Sequence, residues 1–370
     1  MPNANETRVK IHHVGSLDGL RVLAIGAVLA YHAGLPGFKS GWLGVDLFFA
    51  MSGFLITTLL LNEWSESGKI GLKNFWIRRF LRLMPAYYLY IFFITIAILF
   101  WPGSVLQEHG GWRPVEYIMA LWFYAINYLP QGGIWNGQPV TIHLWSLAVE
   151  EQYYLAWPLF LWLSLRYTRF TQSLSWILFV LVLCYFLFLS NDHERSRILY
   201  TRGISLFLAS AVAVTLFQNK NTICSKFSLL DPKKTIPSAI FLTFVVFALS
   251  TFHAISEDSI RHYFLPILIC FYVALVGGLW YFPIAGYSKI VLTQPVLVYI
   301  GKISYGVYLY HEIARVFTWW VTQDLFVSIP KYPAYGLRFT IYILLSISLA
   351  SISYHMYERK FLKLKYRFYK

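Results

Sequence analysis

The chain has 370 residues, of which 58% are hydrophobic, 19% aromatic and only 13% charged, and its mean hydropathy is +0.54. Apolar runs of membrane-spanning length recur from end to end, which excludes an ordinary soluble enzyme and implies a polytopic membrane protein. The formal charge of +14 does not imply nucleic acid, because Lys and Arg fall between the apolar runs instead of gathering into one basic domain.

The first sixteen residues carry charges and two His, so they read as a cytoplasmic N-terminus, and the apolar stretch that follows reads as a retained anchor rather than a cleaved leader. Spans are expected at 17–35, 43–62, 84–101, 141–165, 174–190, 198–217, 237–255, 262–282, 294–321 and 335–357, each able to cross about 30 Å of hydrocarbon. The fold class is therefore an all-α membrane helix bundle of about ten transmembrane helices. With that count the basic segments fall on one side. They are the N-terminus with Arg8 and Lys10, Lys69 to Arg82, Arg166 to Arg169, Lys220 to Lys234, Lys289 and the tail 358–370. Both termini are then cytoplasmic. Segment 116–130 is apolar too, but a full span there would invert everything downstream, so it is expected to be re-entrant or interfacial. Segment 102–140 holds Gly110, Gly111, Gly132, Gly133 and Gly137 with few charges, as suits a loop folded over a cavity mouth. Cys184, Cys224 and Cys270 are too scattered for a disulfide framework or a thiolate metal site. No repeat or low-complexity linker divides the chain, and 1–370 reads as one membrane-embedded domain.

Ionisable residues inside such segments are costly and mark function. Arg21 and His32 are eleven residues apart, about 16 Å along a helix and nearly on one stripe. His32 precedes the Pro36-Gly37 turn and Asp46 follows Trp42, so in an antiparallel pair the two sit at similar depth. The carboxylate would orient the imidazole and leave the other ring nitrogen to take a proton from a hydroxyl. The bland alternative is a helix-capping or bundle hydrogen bond. Arg78, Arg79 and Arg82 precede Pro85 at the membrane edge; their guanidinium forks suit a phosphorylated ligand, although juxtamembrane Arg equally serves as a topology signal or a lipid contact. Glu150 lies seven residues after His143, nearly on its face, and is preferred over Glu151 as the functional carboxylate. Arg202, His311 and Glu312 add polar groups to the outer half, with Lys302, Ser304 and Tyr305 lower on the ninth span. For each of these a structural hydrogen bond competes with a direct role. His32, His143 and His311 form no compact ligand motif, and no metal is assigned.

The blocks LDGLRVLAIGAVLAYH, GVDLFFAMSGFLI, FWIRRFLRLMPAYY, HLWSLAVEEQYYLAWP, IGKISYGVYLYH and YHMYERKF resemble, in this order, the acyltransferase-3 family of integral-membrane acyltransferases, which includes O-antigen and nodulation-factor acetylases and macrolide acylases. The resemblance runs from Leu17 to about Phe361. It implies transfer of an acyl group, by default acetyl, from cytosolic acyl-CoA to a hydroxyl of a carbohydrate or glycolipid at the outer face of the bacterial inner membrane. The family's basic-x10-His pattern falls on Arg21 and His32, and its Arg-rich block, assigned to the acyl-CoA end, on Arg78, Arg79 and Arg82. On that reading Asp46 and Glu150 join His32 and Arg21 in catalysis. Lys302 and Tyr305 join the arginines around acyl-CoA, and His143, Arg202, His311 and Glu312 face the acceptor. Some members carry an appended soluble domain. None follows the bundle in this sequence, so acceptor recognition is expected in the bundle and its outer loops.

A carrier or flippase for an anionic or lipid-linked substrate would use intramembrane Arg and Glu equally well. Trp112, Trp122, Tyr124, Trp135 and Trp145 could stack on a sugar, or simply populate the membrane interface.

Overall fold

The computed structural model describes residues 14–100, 114–129, 139–141, 143–189, 199–219, 230–252, 255–282, 284, 286–325 and 330–368, and every regular element among them is helical. Most of the glycine-rich segment, with Trp112 and Trp135, lies outside the described residues. The helices are α1 (Gly15–His32), α2 (Leu43–Ser67), α3 (Leu72–Phe100), α4 (Pro114–Trp122), α5 (Leu144–Tyr167), α6 (Thr171–Leu189), α7 (Ile204–Gln218), α8 (Pro232–Thr251), α9 (Leu265–Tyr281), α10 (Gly286–Leu292), α11 (Pro295–Lys302), α12 (Ser304–Leu325) and α13 (Lys331–Ser353).

Among the described residues six segments are long and apolar enough to cross a membrane: Leu43–Ser67, Leu72–Phe100, Thr171–Phe188, Pro232–Thr251, Glu257–Tyr281 and Pro333–Lys365. The other four expected spans fall on shorter or more polar helices. Asp18, Arg21 and His32 interrupt α1, Glu150 and Glu151 interrupt α5, α7 has 15 residues, and α11 ends at Lys302 before α12 begins. The helices that miss the apolar criterion are mostly those that carry the ionisable residues.

Burial separates centre from periphery. The apolar window of α2 is 78% buried, against 22% for α6, α8 and the α13 segment, so α2 is the central helix and the other three turn their apolar faces outward. Close backbone approach holds the centre together, as small residues permit within membranes. A methyl group at Gly53 of α2 would stand 2.3 Å from the Leu206 carbonyl oxygen of α7, and one at Gly301 of α11 would stand 2.3 Å from the Asp18 carbonyl oxygen of α1.

Pro158 removes a backbone N–H from the interior of α5, leaving the Tyr154 carbonyl without its helical donor. The indole Nε1 of Trp76 in α3 donates to that carbonyl at 3.1 Å, which ties the two helices together.

Within segment 116–130 the described residues hold no helix of spanning length. Its helix α4 has nine residues, a rise of about 14 Å. Tyr87 donates to the Leu121 carbonyl at 2.7 Å and stacks on Tyr124 with ring centroids 4.0 Å apart, so the segment lies against α3. At the far end the chain runs through Arg359–Lys365 back to α3, where Arg78 Nη1 donates to the Phe368 carbonyl at 2.6 Å.

Candidate active site

A cavity of about 240 Å³ opens between α1, α2, α3, α5 and α12. Its wall carries the guanidinium groups of Arg21, Arg79 and Arg82 together with the carboxylates of Asp18 and Glu150, and Tyr305 also lines it. Asp18 accepts from Arg21 one helical turn away. Glu150 accepts from the hydroxyls of Ser52 and Tyr154. The Arg79 guanidinium lies over the Tyr154 and Phe75 rings, 5.2 and 5.6 Å from their centroids, and Tyr305 is anchored to the Leu83 carbonyl at 3.0 Å.

A second cluster joins the end of α1 to α12. His32 Nδ1 lies 2.6 Å from Glu312 Oε1, and the other oxygen of Glu312 accepts from Arg315 Nε at 2.8 Å and Nη2 at 2.7 Å. His311 Nε2 stands 3.5 Å from Glu312 Oε1. The imidazole centroids follow one another at 5.0 Å from His32 to His311 and 4.7 Å from His311 to His143, and His143 Nε2 meets the Leu309 carbonyl at 3.1 Å. Glu312 is fully enclosed whereas the His32 side chain is 20% exposed. Among the three histidines, with His143 and His311 buried, His32 is therefore the one a solute can reach, with Nε2 as the ring nitrogen left for it. Donor atoms of His32, His311 and Glu312 lie within 4.8 Å of one another, a spacing that could hold a cation, although the sequence assigned no metal.

The structure corrects the expected partner of His32. Asp46 does not reach it. Its carboxylate accepts from Arg202 at 2.8 Å and Ser205 at 3.1 Å. The reason is helical phase: Asp46 and Gly53 are seven residues apart on α2, so both face α7, while His32 turns toward α12. Arg202 is further enclosed by the Trp42 and Trp145 rings, 4.9 and 5.7 Å from its guanidinium carbon. The arginine block also divides. Arg79 and Arg82 line the cavity, but Arg78 pairs with Glu63 at 3.3 Å and with the Phe368 carbonyl. Lys302 is exposed at the end of α11 and lies off the cavity wall. Neither does His32 belong to that wall; Tyr308 lines the cavity and also meets the histidines, its ring 5.4 Å from His311.

Residues 14–355 match the acyltransferase domain family, the stretch that contains both the arginine-lined cavity and the histidine cluster. The chain belongs to the acyltransferase-3 family. It is 34% identical over 319 residues to a peptidoglycan O-acetyltransferase of Listeria monocytogenes, covering 82% of this chain and 50% of that protein. Against a putative O-acetyltransferase of Staphylococcus aureus strain COL the identity is 32% over 377 residues, 96% of this chain and 58% of the other. A putative peptidoglycan O-acetyltransferase of Bacillus subtilis is 28% identical over 361 residues, 94% and 55% respectively. The chain thus spans about half the length of these relatives. No solved structure matches it.

For a member of this acyltransferase family, the structure adds residues that sequence reading passed over. Arg315 and Tyr154 follow Glu312 and Glu150 at i+3 and i+4, spacings that place side chains side by side on a helix, so both were available from local pattern. Tyr308 beside His311 is another such i+3 pair, but Ser52 on Glu150 and Tyr308 beside His143 depend on how α2 and α12 meet α5, which no local pattern contains.

Proposed function

We propose that the protein is a multi-pass membrane O-acyltransferase that takes an acetyl-class group from acyl-CoA and places it on a hydroxyl of a cell-envelope carbohydrate, with peptidoglycan the leading candidate from the names of its relatives. The observation that carries the reading is the His32–Glu312–Arg315 relay beside a cavity rich in arginine. We place the cavity toward the cytosol of a bacterial inner membrane and both chain termini on that side, in keeping with the basic loops. Arg79 and Arg82 hold donor phosphate there. In the cluster, Glu312 fixes the tautomer and orientation of His32, and Arg315 fixes Glu312. His32 Nε2 takes the proton of the acceptor hydroxyl as its oxygen bonds to the thioester carbonyl carbon. When the C–S bond breaks, the same proton passes to the departing CoA sulfur. Arg21, paired with Asp18, and Glu150, held by Ser52 and Tyr154, set the charge of the donor cavity.

The test is release of CoA thiol by the purified full chain in detergent, given acetyl-CoA and solubilised peptidoglycan fragments. Acceptor-dependent release with ternary-complex kinetics supports direct transfer, and ping-pong kinetics indicate an acyl-enzyme. A carrier would release no thiol under any of these conditions, and that result would end the enzymatic reading.

A further inference from the structure

Tyr308 occupies an unusual position, with one side on the arginine-lined cavity and the other on the histidine cluster. It is buried to 7% exposure and pinned at several points. Its hydroxyl lies 2.5 Å from Ser146 Oγ, and both hydroxyls reach the His143 carbonyl, at 3.2 Å from Tyr308 and 2.9 Å from Ser146. The ring stands 5.5 Å from the His143 ring, 5.4 Å from His311 and 6.4 Å from Phe48. Phe48, Ser146 and Tyr308 all line the cavity, whereas His32, His143, His311 and Glu312 do not. A latched phenol ring thus ends the cavity on the side where the reacting carbonyl has to meet His32.

Resting on the acyltransferase reading above, we propose that Tyr308, latched by Ser146, is the specificity-determining partition of this enzyme: it restricts the transferred group to a short acyl chain and keeps the bound thioester from water until an acceptor engages. The physical basis is steric and polar together. A longer chain would need the volume the ring fills, and moving the ring strips the buried Tyr308 hydroxyl of both its partners, Ser146 and the His143 carbonyl. The latch therefore resists displacement by acyl chains or water alone.

The experiment uses the full chain with acetyl-CoA and hexanoyl-CoA, each with and without solubilised peptidoglycan fragments, and reads thiol release. Tyr308→Ala should raise the hexanoyl-to-acetyl ratio of kcat/KM by about tenfold or more, the scale on which an apolar pocket discriminates by a few methylenes. Tyr308→Phe and Ser146→Ala both keep the ring; Tyr308→Phe removes both latch bonds and Ser146→Ala one of them, and each should raise acceptor-independent hydrolysis relative to transfer, Tyr308→Phe the more. If Tyr308→Ala does not fold, that hydrolysis ratio in the two milder variants decides. Variants that elute and melt like the parent with both ratios unchanged overturn the partition. A parent protein that releases no thiol with acceptor overturns the acyltransferase reading itself, and the partition with it.

Discussion

The cavity and the histidine cluster both hold ionisable groups inside a membrane bundle, yet they balance them differently. In the cluster, Glu312 is enclosed between His32 on one oxygen and Arg315 on the other. Around the cavity, the wall carries three guanidinium groups and two carboxylates, and Glu150 is satisfied by hydroxyls rather than by a cation. Burying charge without compensation is expensive. The first region is thus organised to orient one imidazole, and the second to receive negative charge from elsewhere. The sharpest way to break this contrast is His32→Ala, expected to lower kcat by about 10²–10⁴-fold while elution and melting stay like the parent; retained thiol release would remove the imidazole from the reaction. Next is Glu312→Gln, which keeps shape but removes charge, and should lower kcat by about a hundredfold with the acyl-CoA KM unchanged. Asp46→Asn is its control. That change disrupts the buried pair with Arg202 and should cost about 3 kcal/mol of stability, seen as a lower melting temperature, with a far smaller loss of kcat per folded molecule. If the two carboxylate variants exchange these phenotypes, the orienting carboxylate is Asp46 after all.

That exchange of roles shows where the sequence is legible and where it is not. Span-length apolar runs mark most of the helices, and the charges within α1, α5 and α12 mark the site, because ionisable groups in hydrocarbon need a local reason. Pairs within one helix, such as Glu312 with Arg315, follow from a 3.6-residue period. Partners on different helices do not. Asp46 and His32 are close along the chain, but rotation about the axis of α2 sends Asp46 to Arg202, and that rotation is set by Gly53 meeting the Leu206 backbone of α7. The arginine block divides for the same reason: consecutive residues on a helix point about 100° apart, so Arg78 turns to Glu63 and the Phe368 carbonyl while Arg79 reaches the cavity.

The division within that block is itself a comparison that kinetics can sharpen. Arg79→Ala and Arg82→Ala should each raise the acyl-CoA KM by tenfold to a hundredfold, corresponding to the about 1.5–3 kcal/mol of a hydrogen bond to a charged group, and Arg78→Ala should move it much less. Equal effects at all three positions would place the donor phosphates outside the cavity. The smallest expected effect lies one step further out, at Trp76. Its indole serves the carbonyl that Pro158 leaves without a helical donor, and Tyr154, whose carbonyl this is, holds Glu150 and carries the Arg79 guanidinium on its ring. Trp76→Phe keeps the apolar contact and removes only the N–H, at a cost of about 1 kcal/mol. Because the loosened turn bears cavity residues and none of the histidine cluster, the change should appear as a modest rise in acyl-CoA KM at constant kcat. A fall in kcat instead would mean that the two regions are mechanically coupled through α5, and the division between a donor cavity and an independent base would have to be given up.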